Sequence, residues 1–95
     1  MMNIPFRHPR TRREYELVEM DVAGHREWRC PFGPGIGVHV EMSLQLANRE
    51  WATEDLVRRA IRMAVEERLG AQGPVEQGFK LEISADDLAR ARGDE

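Results

Sequence analysis

One nine-residue segment, residues 38–46, constrains the fold more than any other part of the chain. Its apolar residues alternate strictly with polar ones; they are Val38, Val40, Met42, Leu44 and Leu46. Successive side chains of a β-strand point to opposite faces, so this pattern is typical of a strand with one buried and one solvent-exposed face. The segment therefore predicts a sheet that is covered on one side only.

A second pattern predicts a long helix over about residues 53–69. Thr53 is a good N-cap, and Glu54 and Asp55 follow it, where the helix dipole favours acidic side chains. Apolar residues then recur at helical spacing: Leu56, Val57, Ala60, Ile61, Ala64, Val65 and Leu69. Gly70 is expected to end this helix. Its apolar stripe would pack on the buried face of the sheet.

Shorter patterns predict two strands before residue 38. Residues 14–22 form the first, with Val18 and Met20 facing the core and Leu17 on the other side. A short helix over residues 11–20 is the alternative there, because arginine and glutamate are good helix formers. Residues 25–32 form the second strand, since Trp28 and Cys30 alternate with charged residues. The glycine-rich residues 33–37 then reverse the chain.

The remaining elements follow the long helix. Apolar residues alternate over residues 79–83 and predict a fourth strand. Ser84 and Asp87 have the spacing of a capping box, which predicts a short helix from Ala85 to about Arg92. If the third and fourth strands are parallel neighbours, the long helix is the crossover between them.

The predicted order is β-β-β-α-β-α, an α+β domain with a mainly antiparallel sheet and one long helix on one face. With 95 residues, 41% hydrophobic and 33% charged, the chain is expected to form one small domain. We divide it into a basic, flexible N-terminal arm (residues 1–13), the α+β domain (residues 14–92) and a frayed tail (residues 93–95).

Composition also predicts a location. No apolar run approaches the roughly 18 residues of a membrane span, and the first residues lack the apolar segment of a secretory signal. Cys30 is the only cysteine, which excludes an internal disulfide and fits a reducing compartment. We therefore expect a cytoplasmic protein with no membrane partner.

Charge is unevenly distributed along the chain. The formal net charge is −3, yet residues 1–13 contain four arginines and none of the 17 acidic residues. These arginines are Arg7, Arg10, Arg12 and Arg13. A basic arm of this kind can bind nucleic-acid phosphates. The alternative, which we favour, is a disordered tail that only aids solubility.

The chemistry-bearing residues do not predict an enzyme. His25, Cys30 and His39 are the candidate soft metal ligands, but strand alternation places Cys30 in the core and His25 on the opposite face. We therefore predict neither a metal site nor a cofactor. His39 and Glu41 share a face and can form a general-base pair. No nucleophile motif or phosphate-binding loop accompanies them, so we expect no catalysis.

The best interpretation is a non-enzymatic protein-binding module, a small regulator or inhibitor of a larger partner. A mixed polar face with tyrosine and arginine matches interface composition better than pocket composition. The residues assigned to partner binding on the open sheet face are Tyr15, Arg29, His39, Glu41, Ser43 and Gln45. We expect a phage- or mobile-element-encoded protein that antagonises host machinery such as defence nucleases.

Two further possibilities stay open at this point. The alternative function is a nucleic-acid-binding protein, antitoxin- or repressor-like, that uses Arg7, Arg10, Arg12 and Arg13. In addition, residues 38–46 would pair with a second copy if that strand lay at a sheet edge. The sequence leaves a monomer and a homodimer equally open.

Overall fold

The computed structural model describes residues 1–72 and 78–93. In chain order the elements are β1 (Ile4–Arg7), β2 (Glu14–Met20), β3 (His25–Gly33), β4 (Ile36–Ser43), α1 (Leu44–Ala47), α2 (Glu54–Gln72), β5 (Phe79–Glu82) and α3 (Ala85–Arg92). One sheet contains all five strands in the order β1-β2-β3-β4-β5. Its neighbouring strands are antiparallel except β4 and β5, which are parallel. The predicted α+β class is confirmed.

The domain consists of two layers. The buried side chains of α2 and α3 join those of the sheet in one hydrophobic core, with α2 against β1 and α3 against α2. The smallest dimension of the molecule is 17 Å, which one helix of about 10 Å diameter and one sheet account for. Within residues 1–72 and 78–93, no helix or strand packs on the opposite side of the sheet. We call the two sides the covered face and the open face.

Residues 1–13 are not a separate arm. Residues of β1 pair with β2, and Met2, Ile4, Phe6 and His8 are buried at alternate positions. Pro5 is tolerated because β1 is an edge strand, where a missing N–H removes no ladder bond. This strand was not predicted, because the prolines and arginines between its few apolar residues hid their alternation. The N-terminal segment is therefore part of the core.

The faces of β2 are the reverse of the prediction. Leu17 is fully buried, whereas Val18 is 44% and Met20 40% exposed. Pairing with β1 decides between the two apolar sets, because Ile4 lies opposite Leu17 and both side chains enter the core. Strand β2 has apolar residues on both of its faces, so its own sequence does not identify the face that is buried.

Two boundaries and the position of one strand in the sheet differ from the prediction. The strand predicted over residues 38–46 ends at Ser43, whose hydroxyl accepts a hydrogen bond of 3.2 Å from the Leu46 N–H and so caps α1. Helix α2 continues through Gly70 to Gln72. Strand β4 lies between β3 and β5, so it is not an edge and cannot pair with a second copy in the way proposed.

Several local predictions are confirmed. Thr53 accepts a hydrogen bond of 3.2 Å from the Leu56 N–H at the start of α2. Ser84 and Asp87 form the capping box of α3. Strands β4 and β5 are parallel neighbours joined through α2, as the crossover interpretation requires. Gly93, the first residue of the predicted tail, is the C-cap of α3 with φ of 90°, while residues 94 and 95 lie outside the described part.

Candidate functional site

Strand register arranges the open face into rows of side chains. One row contains Val18, Arg29, His39 and Lys80, and the next contains Met20, Glu27, Glu41 and Glu82. Directly paired residues of neighbouring strands point to the same face, about 5 Å apart. A largely basic row therefore lies beside a largely acidic row, and basic and acidic side chains can meet between them.

Three of these side chains and His25, which precedes Glu27 on the same face of β3, form a closed ring that we call the His–Glu cluster: His25, Glu27, His39 and Glu41. The Nε2 atom of His25 lies 2.9 Å from Oε1 of Glu27 and 3.8 Å from Oε2 of Glu41. The Nε2 atom of His39 lies 3.4 Å from the same Glu27 oxygen and 2.9 Å from the same Glu41 oxygen. Each histidine nitrogen thus lies near one oxygen of each carboxylate.

Two cations flank the cluster. Arg29 donates a hydrogen bond from Nε to Oε2 of Glu27 at 2.5 Å, and Lys80 Nζ lies 3.4 Å from Oε2 of Glu41. The hydrogen bond with His25, followed by that with Arg29, lowers the pKa of Glu27 to about 2. Glu27 is therefore an anion throughout the neutral range, although its side chain is only 8% exposed.

An apolar region adjoins the cluster on the open face. Val18, Met20 and Ile36 are 44%, 40% and 43% exposed. They line a shallow depression of about 540 Å³ together with Arg29, Pro31 and His39. The open face therefore combines an apolar depression with a dense charged cluster.

The structure brings together three of the six residues predicted for partner binding. Arg29, His39 and Glu41 are neighbours on the open face. Tyr15 instead lies on the covered face, where its ring centroid is 5.5 Å from that of Phe6 and 4.8 Å from that of Phe32.

Of the other two predicted residues, Ser43 is the last residue of β4, where it lies opposite His25, and it also caps α1. Gln45 is instead an exposed residue of α1, because the prediction extended β4 by three residues beyond Ser43.

The four arginines of the predicted nucleic-acid site are only partly available. Arg7 forms an ion pair of 2.8 Å with Glu14, and Arg10 donates a hydrogen bond of 3.0 Å to the Gly70 carbonyl oxygen. Arg12 and Arg13 are exposed in the turn between β1 and β2. Two of the four guanidinium groups are therefore already bound within the chain.

The His–Glu cluster was not predicted from the sequence. His25 and His39 were grouped with Cys30, which is buried on the covered face, and the carboxylates were not considered as co-ligands. The available signal was a repeated His-x-Glu sequence, once on each side of the glycine-rich turn. The register that places Glu27 opposite Glu41 brings the two copies together.

Comparisons with known proteins give no relative: no protein-family model, curated protein or solved structure matches the chain significantly. In the described part of the chain, none of the helices has the length and apolar character that crossing a membrane requires. The function of the protein is therefore inferred from its own geometry.

Proposed function

We propose that this protein is a non-enzymatic protein-binding module, a small regulator or inhibitor that binds a larger partner through the open face of its sheet. The observation that carries the proposal is the two-layer fold, 17 Å thick, in which this face has no cover among the described elements. The face nevertheless holds exposed apolar side chains beside charged ones. Apolar groups surrounded by polar groups are the usual composition of a protein interface.

The apolar depression is the centre of the proposed interface. Val18, Met20 and Ile36 each leave about two fifths of their surface in water. Covering apolar surface is favourable by about 25 cal/mol per Å², so a partner side chain that fills the depression gains binding energy. We expect the partner to place an aliphatic or aromatic side chain there.

Arg29 supplies the polar part of the interface next to the depression. Its side chain is 53% exposed, and its Nε is the donor bonded to Glu27. A guanidinium group has five N–H donors, so the outer ones can bind a carboxylate of the partner. The proposed partner surface therefore presents an acidic side chain near its apolar anchor.

The proposal also covers the cellular location of the protein and the kind of regulation it performs. We propose a cytoplasmic location, for which the single thiol, Cys30, is the supporting feature. Antagonism of host machinery by a phage- or mobile-element-encoded protein is the form of regulation we would test first. Nucleic-acid binding through Arg12 and Arg13 is the competing outcome, with less support because Arg7 and Arg10 are engaged within the chain.

Two methionines provide a matched test. Met20 on the open face and Met63 on α2 are both 40% exposed, so Met20→Lys and Met63→Lys make the same change at equal exposure. Lysine at position 20 also lies opposite Glu27, which favours folding of the variant. We expect affinity capture from a native lysate to retain a defined partner with wild type and Met63→Lys, and to lose it with Met20→Lys.

Far-UV circular dichroism and thermal melting verify that both variants are folded. Equal retention of the partner by the two variants contradicts use of the open face. Binding to a mixed-sequence DNA or RNA that falls steeply with salt and is lost in Arg12→Ala/Arg13→Ala would instead support the nucleic-acid alternative.

A further inference from the structure

We propose that the His–Glu cluster is a binding site for a divalent transition-metal ion, with Zn²⁺ as the ion that its donors fit best. The site goes beyond the proposed partner binding and does not depend on it. Its four donors come from neighbouring strands of one hairpin, β3 and β4. A bound ion would therefore link the two strands on the open face.

The donor set selects the class of metal. Two imidazole nitrogens and two carboxylate oxygens face one another in the cluster. Imidazole nitrogen suits Zn²⁺ and the neighbouring transition metals, whereas Mg²⁺ and Ca²⁺ prefer sites made entirely of oxygen. No thiolate is required for such a site, and Cys30 is buried on the other side of the sheet.

The nitrogen–oxygen distances in the cluster are close to those of tetrahedral coordination. Bonds of about 2.0–2.1 Å to nitrogen or oxygen place neighbouring ligands of a tetrahedral Zn²⁺ about 3.4 Å apart. The four nitrogen–oxygen distances around the ring are 2.9, 3.4, 2.9 and 3.8 Å. In addition, one donor atom from each of His25, Glu27 and Glu41 lies within 4.8 Å of the others. Side-chain rotation, of His39 in particular, would place all four groups around one ion.

One of the four metal-ligand atoms is buried and makes no hydrogen bond. In the described part of the chain, Nε2 of His39 is inaccessible to solvent and has no hydrogen-bond partner. The Glu41 carboxylate lies 2.9 Å from this nitrogen, but not in hydrogen-bond geometry. A metal ion coordinated by the lone pair of the nitrogen would satisfy it.

The charges also favour a cation between the strands. Glu27 and Glu41 are directly opposite on β3 and β4, and Glu82 lies opposite Glu41 on β5. Like charges in directly opposed positions destabilise a sheet. A divalent ion held by two neutral histidines and two carboxylates balances the charge of Glu27 and Glu41.

Of the two flanking cations, Arg29 favours binding of a metal ion, whereas Lys80 competes with it. Arg29 binds the outer oxygen of Glu27, which orients the inner oxygen towards both histidines, as second-shell groups do in metal sites. Lys80 instead shares the Glu41 oxygen that faces the cluster. Because the Lys80 side chain is 60% exposed, it can turn into solvent when an ion binds.

The test is a calorimetric titration of the chelator-treated full chain with ZnCl₂. We expect one equivalent to bind per chain with a Kd at or below about 10 μM, and to raise the melting temperature because Zn²⁺ binds the folded state. His39→Ala and Glu41→Gln should each weaken binding at least about tenfold. Glu82→Gln, in the same row but outside the ring, is the matched control and should bind normally.

A second probe excludes the thiol. Co²⁺ should give the visible absorption of a tetrahedral site without a thiolate charge-transfer band, because Cys30 is not a ligand. The proposal is wrong if the folded wild type binds no Zn²⁺, if His39→Ala and Glu41→Gln bind as tightly as Glu82→Gln, or if the thiolate band appears. Circular dichroism identifies any unfolded variant, and His25→Ala then replaces it in the comparison.

Discussion

The two faces of the β3–β4 hairpin are made from alternate residues of the same strands, yet they are held in different ways. On the covered face, Trp28, Val40 and Met42 are completely buried, and the Trp28 indole donates a hydrogen bond of 3.0 Å to the Met2 carbonyl oxygen. On the open face, Glu27 forms an ion pair with Arg29 and Glu41 with Lys80, and two histidines lie beside both carboxylates. The covered face therefore stabilises the fold, while the open face concentrates charge that the core does not require.

Two neighbouring residues of β3, Trp28 and Arg29, test the difference between the two faces most directly. Trp28→Ala should destabilise the protein by about 3–5 kcal/mol, because it leaves a cavity in the covered face and an unpaired Met2 carbonyl. Arg29→Ala removes a side chain that is 53% exposed, and its cost should be clearly smaller because Glu27 keeps its contact with His25. Urea unfolding followed by circular dichroism measures both values. Similar losses for the two variants would contradict the assignment of the faces.

Two glycines test the turn that sets the hairpin register. A Cβ atom at Gly37 would lie 2.6 Å from the Cys30 carbonyl oxygen and 2.9 Å from Pro31 Cα. Gly37→Ala should therefore cost about 1–3 kcal/mol through forced backbone movement. A Cβ atom at Gly33 meets nothing within 4 Å, so Gly33→Ala should be tolerated. Equal melting temperatures for the two variants would show that β3 and β4 are less closely apposed at Gly37.

The smallest expected effect concerns an ion pair at the margin of the covered face. Hydrogen bonds from Arg26 lower the pKa of Glu19 below its ordinary value of 4.5, assisted by the Met2 N–H. A lowered pKa in the folded state adds stability above the unfolded-state pKa, and this contribution disappears as pH falls through the folded-state pKa. Glu19→Gln should therefore be less stable than wild type at pH 7, with a difference that shrinks below about pH 4.5.

Denaturant unfolding at a series of pH values measures this difference. Glu14→Gln is the control, since Glu14 forms its ion pair with Arg7 at the exposed edge of the sheet. If the Glu19→Gln difference stayed constant down to pH 3, the hydrogen bonds with Arg26 would not be the source of the stability.

The predictions from the sequence were correct where a residue pattern is compatible with only one local structure. The alternation around Val38 and Val40, the helical stripe of α2 and the capping box at Ser84 each permit one arrangement, and the structure has it. Strand β2 was different, because Leu17 and Val18 are both apolar. Its buried face depends on pairing with β1, which no local pattern in β2 records.

The candidate site was less predictable than the fold. His39 and Glu41 were recognised as neighbours because they share a strand, and Arg29 was correctly placed on the same face. The meeting of His25 and Glu27 with them depends on the register across the turn, which a shift of one residue would abolish. Register depends on how two strands pair across the turn, so the cluster could be recognised only in the three-dimensional structure.

The parallel pairing of β4 with β5 also has a consequence for the folding pathway. Strands β1 to β4 pair with neighbours that are close in the chain, whereas β5 reaches the sheet only after α2 has been traversed. Contacts between distant segments form late, because the entropy of closing the intervening loop must be overcome first. We expect the four-stranded meander to be the folding nucleus and the β5 strand to dock last. Amide protons of β4 that bond to β3 should then gain protection in pulse-labelling before those of β5.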